Sequence, residues 1–155
     1  MIFVFASTLL IGLQKSMQLA ERVRFWERFL QFIRFAEDAF RYRNHTVMQV
    51  METYPSDRAF RLPALCAAYC TAGADFPEAW AKAVLTVPAD DRVLLLDFGL
   101  QLGTTDLEGQ LAHLALCRAR AEEKRAEARV DQTQKSRLYP ILGAAVGAGA
   151  ALLLC

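Results

Sequence analysis

Charge is missing from both ends of this 155-residue chain. Residues 1–14 and 138–155 carry no Asp, Glu, Lys or Arg. The 18 basic side chains lie between Lys15 and Arg137, and the 17 acidic ones between Glu21 and Asp131. Two uncharged apolar ends around a charged middle predict membrane anchors at 1–14 and 138–155, flanking a water-facing domain at 15–137. An excess of one sign is missing as well. The net charge of +1 gives no global field toward nucleic acid, and no nucleic-acid partner is expected. Cysteine is scarce, with four residues in all. Cys66 and Cys70 stand four apart on a predicted helix, where a disulfide fits poorly, so this is not a secreted disulfide framework and a reducing compartment is the simpler reading.

The signatures of chemistry are missing too. No Gly-x-x-x-x-Gly-Lys-Ser/Thr occurs, so nucleotide hydrolysis is not expected of this chain. Gly99-x-x-x-Gly103 falls within and at the end of a predicted helix and not after a strand; its glycines read as close-packing and helix-stop positions. A metal would have to join Cys66 and Cys70 to His113 or His45. Structural zinc sites use four ligands, usually at tighter spacings, and buried thiols are the plainer reading. No Ser/His/Asp or Cys/His arrangement has local support. His113, beside Leu114, reads as a surface or boundary residue. The expectation is a chain without enzymatic activity, cofactor or metal.

The first apolar run, Ile2 to Leu13, is shorter than the roughly 20 residues of an ordinary span. No basic residue precedes it and no Ala-x-Ala site follows, which favours an uncleaved anchor over a signal peptide or a buried core helix. Lys15, Arg22 and Arg24 come after it and place the middle domain in the cytoplasm. The second run, Leu138 to Cys155, follows Lys135 and Arg137 and has Tyr139 at an interfacial position. Gly143 and Gly147 put small residues on one helix face, suited either to close helix packing in a membrane or to an ordinary lipid-facing helix. With both basic flanks on the middle domain, both termini are expected on the far side.

Strand signals are rare in the middle: strict alternation is uncommon and Asn-Gly hairpins are absent. The helical period recurs instead. Trp26, Phe29, Leu30, Ile33, Ala36 and Phe40 form one stripe of a helix over 19–40, and the stripe reads as core rather than as a ligand box. A short helix over 46–53 follows, broken by Tyr54-Pro55-Ser56-Asp57. Pro63 suits the first turn of a helix ending near Ala72, with Gly73 as its stop. Asp75 suits the cap of a helix from Phe76 to about Thr86 that buries Trp80 and Val84. Pro88 separates it from a helix carrying Asp90 and Asp91 at its positive end, then Leu94, Leu95, Phe98 and Leu102, and stopped by Gly103. Thr105-x-x-Glu108 reads as a capping box opening a long last helix with Leu107, Leu111 and Leu114 on one face. That stripe fades after about Ala121, leaving a charged or small surface from Arg118 to Arg137, and Pro140 marks an expected kink. Trp80, Phe98, Leu102 and Leu111 are expected in the core. The predicted fold is all-α, an antiparallel bundle of about six helices between two transmembrane helices.

The stretch Leu94 to Leu114, LLLDFGLQLGTTDLEGQLAHL, resembles the central motif of the stage III sporulation protein AB family in Phe98, Gly99, Leu102, Gly103, Asp106 and Gln110. Ala79 and Trp80 resemble the family's Ala-Trp pair. Tyr139, Leu142, Gly143 and Gly147 resemble its closing helix. The sequence departs from the family at Ala39, where an acidic residue is usual and Asp38 stands beside it, and at Thr46 and Val47, where a Pro-Leu pair is usual. The resemblance implies a role in endospore formation, in an assembly across the membranes between mother cell and forespore. It implies a domain similar to the F-type platform proteins of type II secretion, placed in the outer forespore membrane on the mother-cell side. The implied partners are other proteins of that channel complex, including a secretion-type ATPase, and self-association is compatible with the role. Asp106 and Gln110, one turn apart, read as a partner-contact pair or as groups that start the helix and satisfy backbone. The alternative function is a membrane-tethered helical interaction or regulatory protein unrelated to sporulation.

Overall fold

The computed structural model describes the backbone of residues 2–153 and the side chains of residues 14–135 and of Ile141. Six helices follow one another: α1 (Ile2–Arg43), α2 (Val47–Thr53), α3 (Leu62–Thr71), α4 (Phe76–Val84), α5 (Ala89–Gln101) and α6 (Leu107–Leu153). Among the described residues there is no strand, only an isolated bridge between Asp57 and Phe60. The all-α class and the six helices agree with the sequence pattern. The expected first anchor and the helix after it are one unbroken element, α1, and the last helix and the expected second anchor are one element, α6. Among the described residues no helix is long and apolar enough to cross a membrane. The expected anchors at 1–14 and 138–155, with Gly143 and Gly147, lie outside the described side chains except at Gln14 and Ile141.

The chain forms two compact units, Phe25–Glu123 and residues 1–24 with 124–155. In the first, the α1 stripe is buried as its spacing requires: Trp26, Phe29, Ile33 and Ala36 are fully covered, and Leu30 and Phe40 nearly so. Phe32 joins them. Phe60, in the segment between α2 and α3, inserts among Phe25, Phe29 and Phe32 at centroid distances of 5.4, 5.8 and 5.6 Å. That segment is fixed to α1 by an Arg28–Asp57 ion pair of 2.8 Å, while Asp57 Oδ1 accepts from the amides of Ala59 and Phe60. In the second unit the described residues include buried Val23 and Ala128, and Asp131 receives both Arg22 and Lys135, at 3.4 and 2.9 Å. Lys135, ahead of nearby Arg22, holds the Asp131 carboxyl below its ordinary range.

Local signals explain the helix ends. Asn44 takes the left-handed conformation that closes α1. Thr46 and Gln49 form a reciprocal capping box on α2. Gly73, at φ +102°, sends its amide to Cys70 O while Ala74 reaches Tyr69 O, the paired bonds of a glycine-stopped helix. Asp75 holds the N-cap position of α4 without a side-chain bond to it. Arg92 closes the α4–α5 turn by donating to Val87 O at 2.6 Å and Leu85 O at 3.0 Å.

Three expectations about α6 are corrected. The cap is Asp106, not Thr105: α6 begins at Leu107, and Asp106 Oδ1 accepts from the Gly109 amide at 3.1 Å. The inward face is His113, Leu114, Cys117 and Ala121, so Leu111 is only half-buried and His113 is no surface residue at 8% exposure. Beyond Ala121 the described part of α6 buries one more side chain, Ala128. Alanine gives a weak hydrophobic signal in sequence, yet it is the side chain that allows a close helix approach.

Candidate functional site around Trp80 and Gly99

Four of the singled-out residues, Trp80, Phe98, Gly99 and Leu102, are buried where α4 meets α5. Trp80 is presented by α4, whose apolar residues Ala79, Trp80, Ala83 and Val84 share one buried face. Its indole Nε1 donates to Leu95 O at 2.6 Å, so the one polar atom of the ring is satisfied without water. A β-carbon at Gly99 would stand 2.0 Å from Trp80 Cδ1 and 2.7 Å from its Nε1, so the ring lies directly on the α5 backbone. Phe98 then stacks obliquely on Trp80 at 5.2 Å and meets Phe29 edge-on at 5.3 Å, which joins α1, α4 and α5 through one aromatic cluster.

His113 reaches the same cluster from α6. Its ring lies 6.0 Å from Phe98, and with the proton on Nε2 it donates to Phe98 O at 3.3 Å. Cys117, one turn on, has its Sγ 3.6 Å from that nitrogen. Burial pushes the Cys117 thiol up to about 11 and the Cys66 thiol up to about 12, the latter helped by its neighbour Cys70, so both stay protonated and unreactive near neutrality. Cys66, Cys70 and Cys117 are free.

Gly103 and the Asp106–Gln110 pair sit apart from that cluster, at the turn into α6. Leu102 ends α5, Gly103 takes φ +83°, and a β-carbon there would press on Val47 Cγ2 at 3.1 Å. Asp106 caps α6, and Gln110 Nε2 donates to Thr105 O at 2.9 Å. Both side chains thus start the helix and satisfy backbone, which is the plainer of their two readings. Among the described residues no group of three or more His, Cys, Asp or Glu side chains is placed to hold a metal ion.

The sequence reading missed Phe32, Phe60 and His113 as parts of this cluster. Phe32 was legible in its three-residue spacing from Phe29. Phe60 lies in a non-helical segment and carries no periodic signal, and a histidine between alanine and leucine gives none either.

The family model of stage III sporulation protein AB matches residues 1–155, the whole chain. The chain belongs to the stage III sporulation protein AB family. No curated protein and no solved structure gave a match. In this stage III sporulation protein AB family member, the stretch from Phe98 to Gln110 that carries the resemblance builds the α5–α6 corner of the bundle.

Proposed function

We propose that this chain is a non-enzymatic membrane platform or adaptor in the sporulation channel complex between mother cell and forespore, coupled to a secretion-type ATPase. The family match over the whole chain carries the sporulation part of the reading. The uncharged segments 1–14 and 138–155, each with basic residues on its inner side, support two membrane anchors around a cytoplasmic bundle. The platform part rests on what the singled-out residues do: Trp80, Phe98, Gly99 and Leu102 pack, Asp106 caps α6, and Gln110 donates to Thr105 O.

An in-frame deletion tests the role. The strain should fail to form spores and recover with the intact gene, and full-length chain should co-purify with the ATPase from sporulating cells. Normal spore yield from the deletion strain would sink the proposal. Topology is tested separately. An impermeant thiol reagent on intact cells should label Cys155 and leave an Arg58→Cys reporter untouched. Arg58 is the better reporter because Cys117 is buried and silent on either side.

A further inference from the structure

Within the unit made by the two chain ends, the ion pair between Arg22 and Asp131 sets the level at which α1 and α6 meet. α1 begins in this unit and α6 ends in it, so outward along the pair is backward in α1 and forward in α6. Seven residues outward from the ion pair bring α1 to Lys15 and α6 to Leu138, a rise of roughly 10 Å on each helix. Lys15 is the last charged residue of α1 in that direction, and Arg137 is the last of α6. The two uncharged stretches therefore begin at nearly one level.

Charge is divided along the same line. Residues 1–24 and 124–155 hold eight basic and three acidic side chains, whereas Phe25–Glu123 holds ten and fourteen. The three acids are Glu21, Glu127 and Asp131; the next ones, Glu27, Glu122 and Glu123, lie just inside the bundle's edge. Asp131 is matched by Arg22 and Lys135, and Glu127 by Lys124 at 3.2 Å. Outward of Glu21 and Asp131 no acid occurs to either end of the chain, and the charges there are Lys15, Lys135 and Arg137. Lys15 and Lys135 are exposed.

We propose that Lys15, Lys135 and Arg137 form a belt that gathers anionic phospholipid, through its headgroup phosphate, around the paired ends of the chain. This rests on the two-anchor reading, which puts the uncharged stretches in the membrane. A flat surface meets two helices at one level, and the shared charge boundary of α1 and α6 has that form. Orientation by basic flanks needs no more than the flanks themselves. Two flanks in register, with no acid outward of them, also concentrate positive charge within a Debye length of the headgroups. Anionic lipid is held there by that excess, and a zwitterionic surface of no net charge is not.

The test uses the full chain in phosphatidylcholine vesicles carrying either spin-labelled phosphatidylglycerol or spin-labelled phosphatidylcholine. The chain should immobilise the anionic label roughly threefold more strongly at low salt, and the preference should fall toward unity in about 1 M salt. A Lys15→Gln, Lys135→Gln, Arg137→Gln variant should lose it. An Arg41→Gln, Arg43→Gln, Arg58→Gln variant, which sheds the same charge from exposed positions in the bundle, should keep it. Circular dichroism checks that both stay helical, and free phosphate at matched ionic strength should change nothing. Equal immobilisation of the two labels, a preference that survives in the first variant or is lost in both, or displacement by free phosphate would overturn the proposal. So would salt-sensitive pairing of chains in place of lipid selection, which would assign the belt to the acidic bundle of a second copy. Carbonate extraction of the same vesicles keeps the two readings apart. A chain released by it sinks the anchors and the belt together, while a chain retained without lipid preference sinks the belt alone.

Discussion

The indole of Trp80 lies across the α-carbon of Gly99, so near that a β-carbon would fall 2.0 Å from the ring. The glycine is needed there for its missing side chain, since it sits inside α5 and its backbone is helical. Gly99→Ala should force the ring off the helix and loosen its bond to Leu95 O. The cost should be about 1–3 kcal/mol, the range for overpacking a filled core. Combining it with Trp80→Leu should be less damaging than the sum of the two changes, because the clash disappears with the ring. Thermal unfolding of the four proteins measures this, and strict additivity would refute the contact.

The two tryptophans separate packing from hydrogen bonding. Both are buried, but Trp80 Nε1 has a partner while Trp26 Nε1 has none among the described residues. Trp80→Phe should therefore cost more than Trp26→Phe, by about 1 kcal/mol for the lost bond. Urea denaturation of the two variants, matched for slope, gives the comparison. Equal losses would show that the Leu95 bond contributes nothing net.

Phe98 touches Phe29, Phe32, Trp80 and His113, which come from three other helices. Phe98→Ala should cost roughly 3–5 kcal/mol, as for other buried aromatic truncations. A loss below about 1 kcal/mol would mean that the cluster closes over the gap or that the ring is exposed.

The position of the α6 cap is testable by a pair of alanine changes. Asp106→Ala should cost about 0.5–2 kcal/mol, since it removes the acceptor of the Gly109 amide. Thr105→Ala should stay within about 0.5 kcal/mol, as for an exposed side chain without such a bond. The reverse order would restore Thr105 as the cap.

Alkali should weaken the fold through its thiols. In the folded chain Cys66 and Cys117 hold their protons to about 12 and about 11, against an ordinary value of 9.0. The contribution is fully present below pH 9, because both states are then protonated. Above it the unfolded chain gives up protons that the folded chain keeps, and stability falls as pH rises through 11 to 12. The gap in denaturation midpoint between wild type and a Cys66→Ala, Cys117→Ala variant, which at pH 8 is the cavity cost alone, should narrow on going to pH 10.5. Parallel curves would show that the thiols do not titrate differently on folding.

What could be read in the sequence was periodic or carried by punctuation. The α1 stripe, Gly73, Gly103 and Pro63 fall where spacing and turn chemistry put them. What could not be read depended on distance across the fold. Thr105-x-x-Glu108 has the letters of a capping box, but Asp106 is one residue on and its carboxylate takes the role. Leu111 and His113 exchanged places because α6 is turned so that the histidine faces the Phe98 carbonyl, a partner invisible in the local sequence. Gly99 was readable as a packing glycine, though not as the seat of Trp80.

The ion pair between Arg22 and Asp131 joins residues 109 positions apart, and it belongs to a unit made from the two ends of the chain. During synthesis that unit cannot close until residues 124–155 have left the ribosome. The contacts from α2 through α5 are short-range and can form while the last helix is still being made. The order of assembly is thus built into the topology, with the middle helices settling first and the paired ends last. A nascent chain arrested with Glu123 just clear of the exit tunnel would display the interval between the two as protection from protease that is present in α3 to α5 and absent before Arg24.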